Sequence, residues 1–191
     1  MKTPLLASLL VLLGLAGCAA RKPMTYLVLS PVSGPVYRGS GPPIAVGQVA
    51  MPPAIDRSFL TVGESKTTLA VSYNAQWAAP LGGMAQTILA RDLAARLPDH
   101  VVLMPGDMVP GNVLVVAVNV FNFLPYPGQV VLDADWNMAR LDSKTIMQAG
   151  RERLITPSST TPAGQAQAMS QALGMLADQI AARIAAAKQE F

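Results

Sequence analysis

A lone thiol, a lone imidazole and two near-neighbour carboxylates are the groups in this sequence with chemistry to offer. Cys18 is the single cysteine and His100 the single histidine of 191 residues. One cysteine allows no intrachain disulfide framework and no cysteine-based metal site. Its setting is specific. Lys2 is followed by an apolar run from Leu5 to Leu15, and then by Leu15-Ala16-Gly17-Cys18. The run is long enough for the apolar region of a signal peptide. It is too short to span a bilayer, which takes about 20 apolar residues. Small residues before the cut let the backbone enter a peptidase site, and the cysteine just after it supplies a nucleophile for a diacylglycerol.

The other groups carry less. His100 follows Pro98-Asp99 at an expected helix end, and no second ligand accompanies it at metal-site spacing. It reads as a surface histidine. A Ser-His-Asp hydrolase would have to use it, yet there is no Gly-x-Ser-x-Gly elbow. Ser33-Gly34 and Gly39-Ser40-Gly41 read as loop residues, since neither opens a helix after a strand as a phosphate cradle does. Asp133 and Asp135 lie two apart on one face of an expected strand. Paired carboxylates can serve glycoside chemistry, but the wet face of an antiparallel strand explains them more simply. The sequence therefore predicts no catalytic constellation, no metal site and no cofactor, and the chain is read as non-enzymatic.

Leu-Ala-Gly-Cys resembles the bacterial lipobox without departure. Residues 1–17 then form a cleaved lipoprotein signal peptide, 18–23 a lipidated tether, and 24–191 one domain. Each buried CH₂ contributes roughly 0.8 kcal/mol, so two or three acyl chains on Cys18 hold a protein where one does not. Ala19, in place of the Asp that retains enterobacterial lipoproteins in the inner membrane, points to the periplasmic face of the outer membrane. The net charge is only +3, with 13% charged residues. The basic residues are scattered rather than interleaved with aromatics, which argues against nucleic acid. No second apolar run reaches 18 residues, so Cys18 is the one evident anchor.

The elements that would frame these residues follow from periodicity. Thr25 to Leu29 reads as a strand and Pro31 to Pro43 as a breaker-rich loop. Ile44 to Ala50 is a strand ended by Pro52-Pro53. Phe59 to Val62 and Thr67 to Tyr73 form a hairpin about Gly63–Lys66. Pro80 to Leu97 is a helix whose face carries Leu81, Met84, Ala85, Ile88, Leu89 and Leu93. Asp92 and Arg96 fall near its edge, where they could pair and read as a solvated or paired rim. Val101 to Met104 is a short strand, and Val113 to Phe121 is apolar on both sides, as in a central strand. After a turn at Pro125–Gly128, Val130, Leu132, Ala134, Trp136 and Met138 alternate with polar neighbours. Thr145 to Ile155 returns antiparallel. Thr161 caps a last helix with Pro162 at its first position, and Met169, Leu173, Leu176, Ile180 and Ile184 form its apolar stripe. The expected fold is α+β: a single compact domain, with a mixed or antiparallel sheet flanked by two main helices. Trp77 and Trp136 read first as core residues.

Four blocks then add up: Tyr26 to Pro31; Ile44 to Val49 leading to Pro52-Pro53-Ala54-Ile55-Asp56-Arg57; Trp77-Ala78-Ala79-Pro80-Leu81; and Met169 to Leu173. In this order they resemble the ABC-type transport auxiliary lipoprotein family over nearly the whole mature chain. Met51-Pro52-Pro53 departs from the family's more usual Leu-Pro and aromatic stretch, and the loop before Val113 looks short. The resemblance implies a sheet flanked by helices. It also implies a non-enzymatic role beside an MCE-domain protein and ABC transporter components that move lipid between the inner and outer membranes, with homo-oligomerisation plausible against a symmetric ring. Asp56, Arg57 and Trp77, from the most specific blocks, are the candidate interaction residues. The alternative is a periplasmic binder of lipid or another hydrophobic ligand acting on its own, which predicts an enclosed apolar pocket.

The anchor is directly testable. Cys18→Ala is expected to move the protein from the membrane pellet to the soluble fraction on ultracentrifugation, and to abolish labelling by radioactive palmitate.

Overall fold

The computed structural model describes residues 23–187, so Cys18, the signal peptide and most of the tether lie outside the described residues. The strands are β1 (Thr25–Leu27), β2 (Ile44–Ala50), β3 (Phe59–Gly63), β4 (Leu69–Trp77), β5 (Val102–Leu103), β6 (Leu114–Tyr126), β7 (Gln129–Arg140) and β8 (Ile146–Pro157). The helices are α1 (Leu81–Arg96) and α2 (Pro162–Ala186). Strand alternation and helical stripes thus place the elements where expected, and the domain is α+β. The sheet, however, is in two parts: a three-stranded one in the order β1-β4-β3 and a five-stranded one in the order β5-β2-β6-β7-β8. Both are mixed. β1 runs parallel to β4, and β2 runs parallel to β5 and β6, while the β3–β4, β6–β7 and β7–β8 pairs are antiparallel.

β6 is longer than its apolar run. It continues through Pro125 to Tyr126, and only Pro127 and Gly128 make the turn. Proline locks φ near −65° and Gly128 sits at φ +80°, the combination a type II turn requires. Pro125 is tolerated because its pairing with β2 ends at Asn119, well before it. It is one pair out from the turn, where the backbone nitrogen points away from β7.

On β7, Val130, Leu132, Ala134, Trp136 and Met138 are buried, while Asp133, Asp135 and Asn137 are half-buried on the other face. The buried face receives the helices: α1 packs on β2, α2 packs on β7 and β8, and the two helices touch each other. Leu81, Ala85, Ile88, Leu89 and Leu93 of α1 are buried with Met84 partly so, and the whole predicted stripe of α2 is buried. Each fully buried Leu, Ile or Met stabilises the fold by about 1.5–3 kcal/mol, so these stripes hold the layers together. Thr161 caps α2 by accepting from the Gly164 N–H at 3.2 Å, with Pro162 at the first position. Among the described residues no helix is long and apolar enough to cross a membrane.

Trp136 lies across its β8 partner, Gly150. A Cβ on Gly150 would come within 2.6 Å of the indole Nε1 and 2.8 Å of Cε2. The indole is buried and cannot yield. Gly150→Ala is therefore expected to destabilise the domain by about 1–3 kcal/mol through overpacking, read as a lower urea midpoint with an unchanged slope.

Candidate functional site

The two most specific sequence blocks meet at the start of α1. Pro80 precedes the helix and has no side-chain oxygen to cap it. The Oδ1 of Asp56 takes that place, accepting from the Gly82 N–H at 3.2 Å. A carboxylate here satisfies an orphan donor and meets the positive end of the helix dipole. A turn positions it, with Ile55 and Asp56 both donating to the Pro52 carbonyl. Ile55 is buried below, and Arg57 points to solvent. Trp77 ends β4, donates its backbone N–H to Ser58 at 2.7 Å, and is 3% exposed. Of the three candidate interaction residues, then, Arg57 is free to meet a partner, Asp56 is engaged at a helix end, and Trp77 is a core side chain.

Two readings of single residues need correction. His100 is not on the surface: it is 8% exposed, with Nδ1 3.4 Å from the Pro42 carbonyl and its Cε1 2.6 Å from where a Cβ on Gly41 would stand. The breaker-rich loop at Pro31–Pro43 folds back over it, which the local sequence does not signal. Asp92 and Arg96 do not form a solvated rim either. Both side chains are 1% exposed.

Arg96 is the hub of a buried polar cluster. Its Nε donates to Asp178 of α2 at 2.5 Å, Nη1 to the Val32 carbonyl at 2.9 Å and to the Asp92 carbonyl at 3.0 Å, and Nη2 to the Gly174 carbonyl at 3.1 Å. Asp92 in turn accepts the Val32 N–H at 2.8 Å and lies 3.7 Å from the guanidinium. Gly174 leaves room for this, since a Cβ there would approach Val32 to 3.0 Å. Burial holds the Asp92 carboxyl above the usual carboxylate range. The Val32 N–H and Arg96 pull it down but do not outweigh the lost hydration, and Asp178 pushes it further up. The i,i+4 pair is visible in the sequence. Its burial is not, because Asp178 falls off the α2 stripe and Val32 belongs to a distant loop.

Asp133 and Asp135 face outward and are paired across to β8. Arg153 reaches Asp133 at 2.9 Å, and Arg151 reaches Asp135 at 2.5 and 2.7 Å while lying over the Phe121 ring at 5.7 Å. The bond from Arg151 holds the Asp135 carboxyl below its ordinary range. Carboxylates committed to arginines in this way are poor candidates for acid–base work. This outer face of the five-stranded sheet forms a broad, shallow depression of about 750 Å³ with a floor of small residues such as Ala50, Ala117 and Ala149. Two further grooves, of about 660 and 380 Å³, flank the segment after β1. All are open to solvent. The space between helices and sheet is filled by Leu89, Leu93, Trp136, Met138, Leu173 and Ile180.

A family model described as the ABC-type transport auxiliary lipoprotein component matches residues 26–181. The chain belongs to this family. The auxiliary lipoprotein fold is also seen in solved structures. XCC0632 from Xanthomonas campestris, of the family model DUF330, superposes with a TM-score of 0.70 at 17% identity, covering 87% of this chain and 97% of that one. A crystal structure described as an uncharacterized protein gives 0.66 at 21% identity, over 86% and 97%. At these identities the likeness concerns the fold alone. Among curated proteins, none matches the chain in sequence.

In this auxiliary lipoprotein, Arg96→Met is expected to cost about 3–5 kcal/mol, because it strands a buried carboxylate and removes a donor from three loop or helix carbonyls. The loss should be smaller near pH 4 than at pH 7. Without the guanidinium the Asp92 pKa rises further, so the folded variant binds a proton more tightly than the unfolded chain and gains stability as the pH falls. Denaturant titrations of wild type and variant at the two pH values check both size and sign.

Proposed function

We propose that this auxiliary lipoprotein is anchored through a lipidated Cys18 to the periplasmic face of the outer membrane. There it serves as a non-catalytic accessory subunit of an MCE-type, ABC-driven system that carries lipid between the two membranes and so supports envelope integrity. On this reading residues 1–17 are removed, 18–23 form the tether and 24–191 the working domain. The observation that carries the reading is the family match over residues 26–181, directly downstream of Leu15-Ala16-Gly17-Cys18. The packed interior favours a docking role over a carrier that encloses its ligand. Arg57, exposed beside the N-terminus of α1, is the candidate contact for the partner, with Asp56 holding the turn that presents it. A ring-shaped partner suits several copies arranged about the same axis.

Mild crosslinking in cells followed by purification of the lipidated protein is expected to recover an MCE-domain protein together with ABC transporter components. Arg57→Glu should reduce that recovery several-fold without changing the amount of folded protein. Recovery of no MCE protein from cells that express one would refute the reading.

A further inference from the structure

The outward side of β1, taken with the residue that flanks it at each end, carries the wrong residues for a solvated edge. Leu27 and Leu29 point inward and are 3% and 5% exposed. The alternate positions, Met24, Tyr26 and Val28, are 40%, 67% and 56% exposed. Edge strands are ordinarily guarded by charge, proline or a bulge. This one presents methionine, tyrosine and valine in a row. Single exposed apolar side chains are common and need no cause, but three alternate positions across β1 and its two flanking residues form a stripe. Grooves lie on both sides of it. The 660 Å³ groove runs between this stripe and α2, past Pro31, Ala163 and Ala166 and the polar Ser30, Gln167 and Gln171. The 380 Å³ groove runs between Val28 and the start of α1, past Ala78, Pro80, Met84 and Ile88.

What covers the stripe follows from the tether. Five residues separate Cys18 from Met24, a span of six Cα-to-Cα steps. Fully extended these reach at most about 22 Å, at roughly 3.6 Å per step, less than the ~30 Å hydrocarbon thickness of a bilayer. If acyl chains on Cys18 are in a leaflet, the Met24–Val28 stripe is kept within that distance of the same leaflet. Arg21 and Lys22, in between, add two positive charges of the sign that anionic headgroups attract. Tyrosine suits such a boundary, with its ring toward acyl chains and its hydroxyl toward water.

We propose that Met24, Tyr26 and Val28, with the two grooves beside them, form the face by which this domain lies on the membrane that anchors it. The domain is then docked on the lipid surface in one orientation, rather than swinging on a flexible leash. The inference rests on lipidation of Cys18, and its test separates the two.

The lipidated protein is reconstituted into vesicles of phosphatidylethanolamine and phosphatidylglycerol. Once Cys18 is a thioether, a cysteine introduced by Tyr26→Cys is the only thiol and can carry an environment-sensitive fluorophore. Met108→Cys, at a 94% exposed position in the loop after β5, is the reference. Bromination of the acyl chains is expected to quench the label at 26 at least twofold more than the label at 108. Both substitutions are at solvent-facing positions, and thermal melting in detergent checks that both variants fold. Protein that fails to float with the vesicles overturns the anchor, and with it this inference. Protein that floats but shows equal quenching at the two positions, or none at 26, overturns the membrane face alone and leaves the anchor standing.

Discussion

A guanidinium has five N–H donors and tolerates burial only when they are answered. Arg96 makes four hydrogen bonds to groups from three places: its own helix and, remote in sequence, the second helix and the loop after β1. Other bonds link these parts in pairs, as Ser30 N–H does to Ser170 Oγ and Val32 N–H to Asp92, but Arg96 joins all three through one side chain. The hydrophobic stripes of α1 and α2 would be content with a range of helix–helix angles and slides, because apolar contact is not directional. The guanidinium is directional. It sets how far along each other the helices lie and pins Val32 across them. Two carboxylates attend a single cation, and burial loads the imbalance onto Asp92, whose proton is held more tightly than in an ordinary aspartate.

Much of the architecture was legible because it rests on local periodicity. The alternation of Val130 to Met138, the stripe of Met169 to Ile184 and the Thr161-Pro162 cap each state their own geometry, and each stands where it reads. The division into two sheets was not legible, because nothing local says that β1 joins β4 across some 50 residues of chain. The end of β6 was misread because Pro125 looks like a terminator until its missing partner strand is known. His100 and the Asp92–Arg96 pair were misjudged for one shared reason. Burial is decided by a loop, residues 31–43, whose own sequence has no periodicity to place it. The pairing of Asp56 with the N-terminus of α1 was half legible. The two blocks stood out separately, and only the fold shows that one completes the other.

The same contrast marks the candidate site. Trp77 drew attention as a large aromatic beside a helix start, yet it is a core side chain. Tyr26, in the short strand β1, is instead 67% exposed. Chemical type selects candidates from sequence, but the surrounding packing decides whether a side chain faces a partner or the interior.

The parallel pairing of β1 with β4, and the clasp on Val32 just beyond it, have a mechanical consequence. Tension entering the domain at residue 23 passes along β1, in line with the strand. Its ladder bonds to β4, at Thr25, Tyr26 and Leu27, are then loaded in shear and must fail together, rather than being peeled one by one. Behind them the Val32 backbone is gripped by Asp92 on one side and Arg96 on the other. A pull on the tether is therefore passed to the two-helix core before any strand is stripped away, as a rope is better tied through a beam than glued along it.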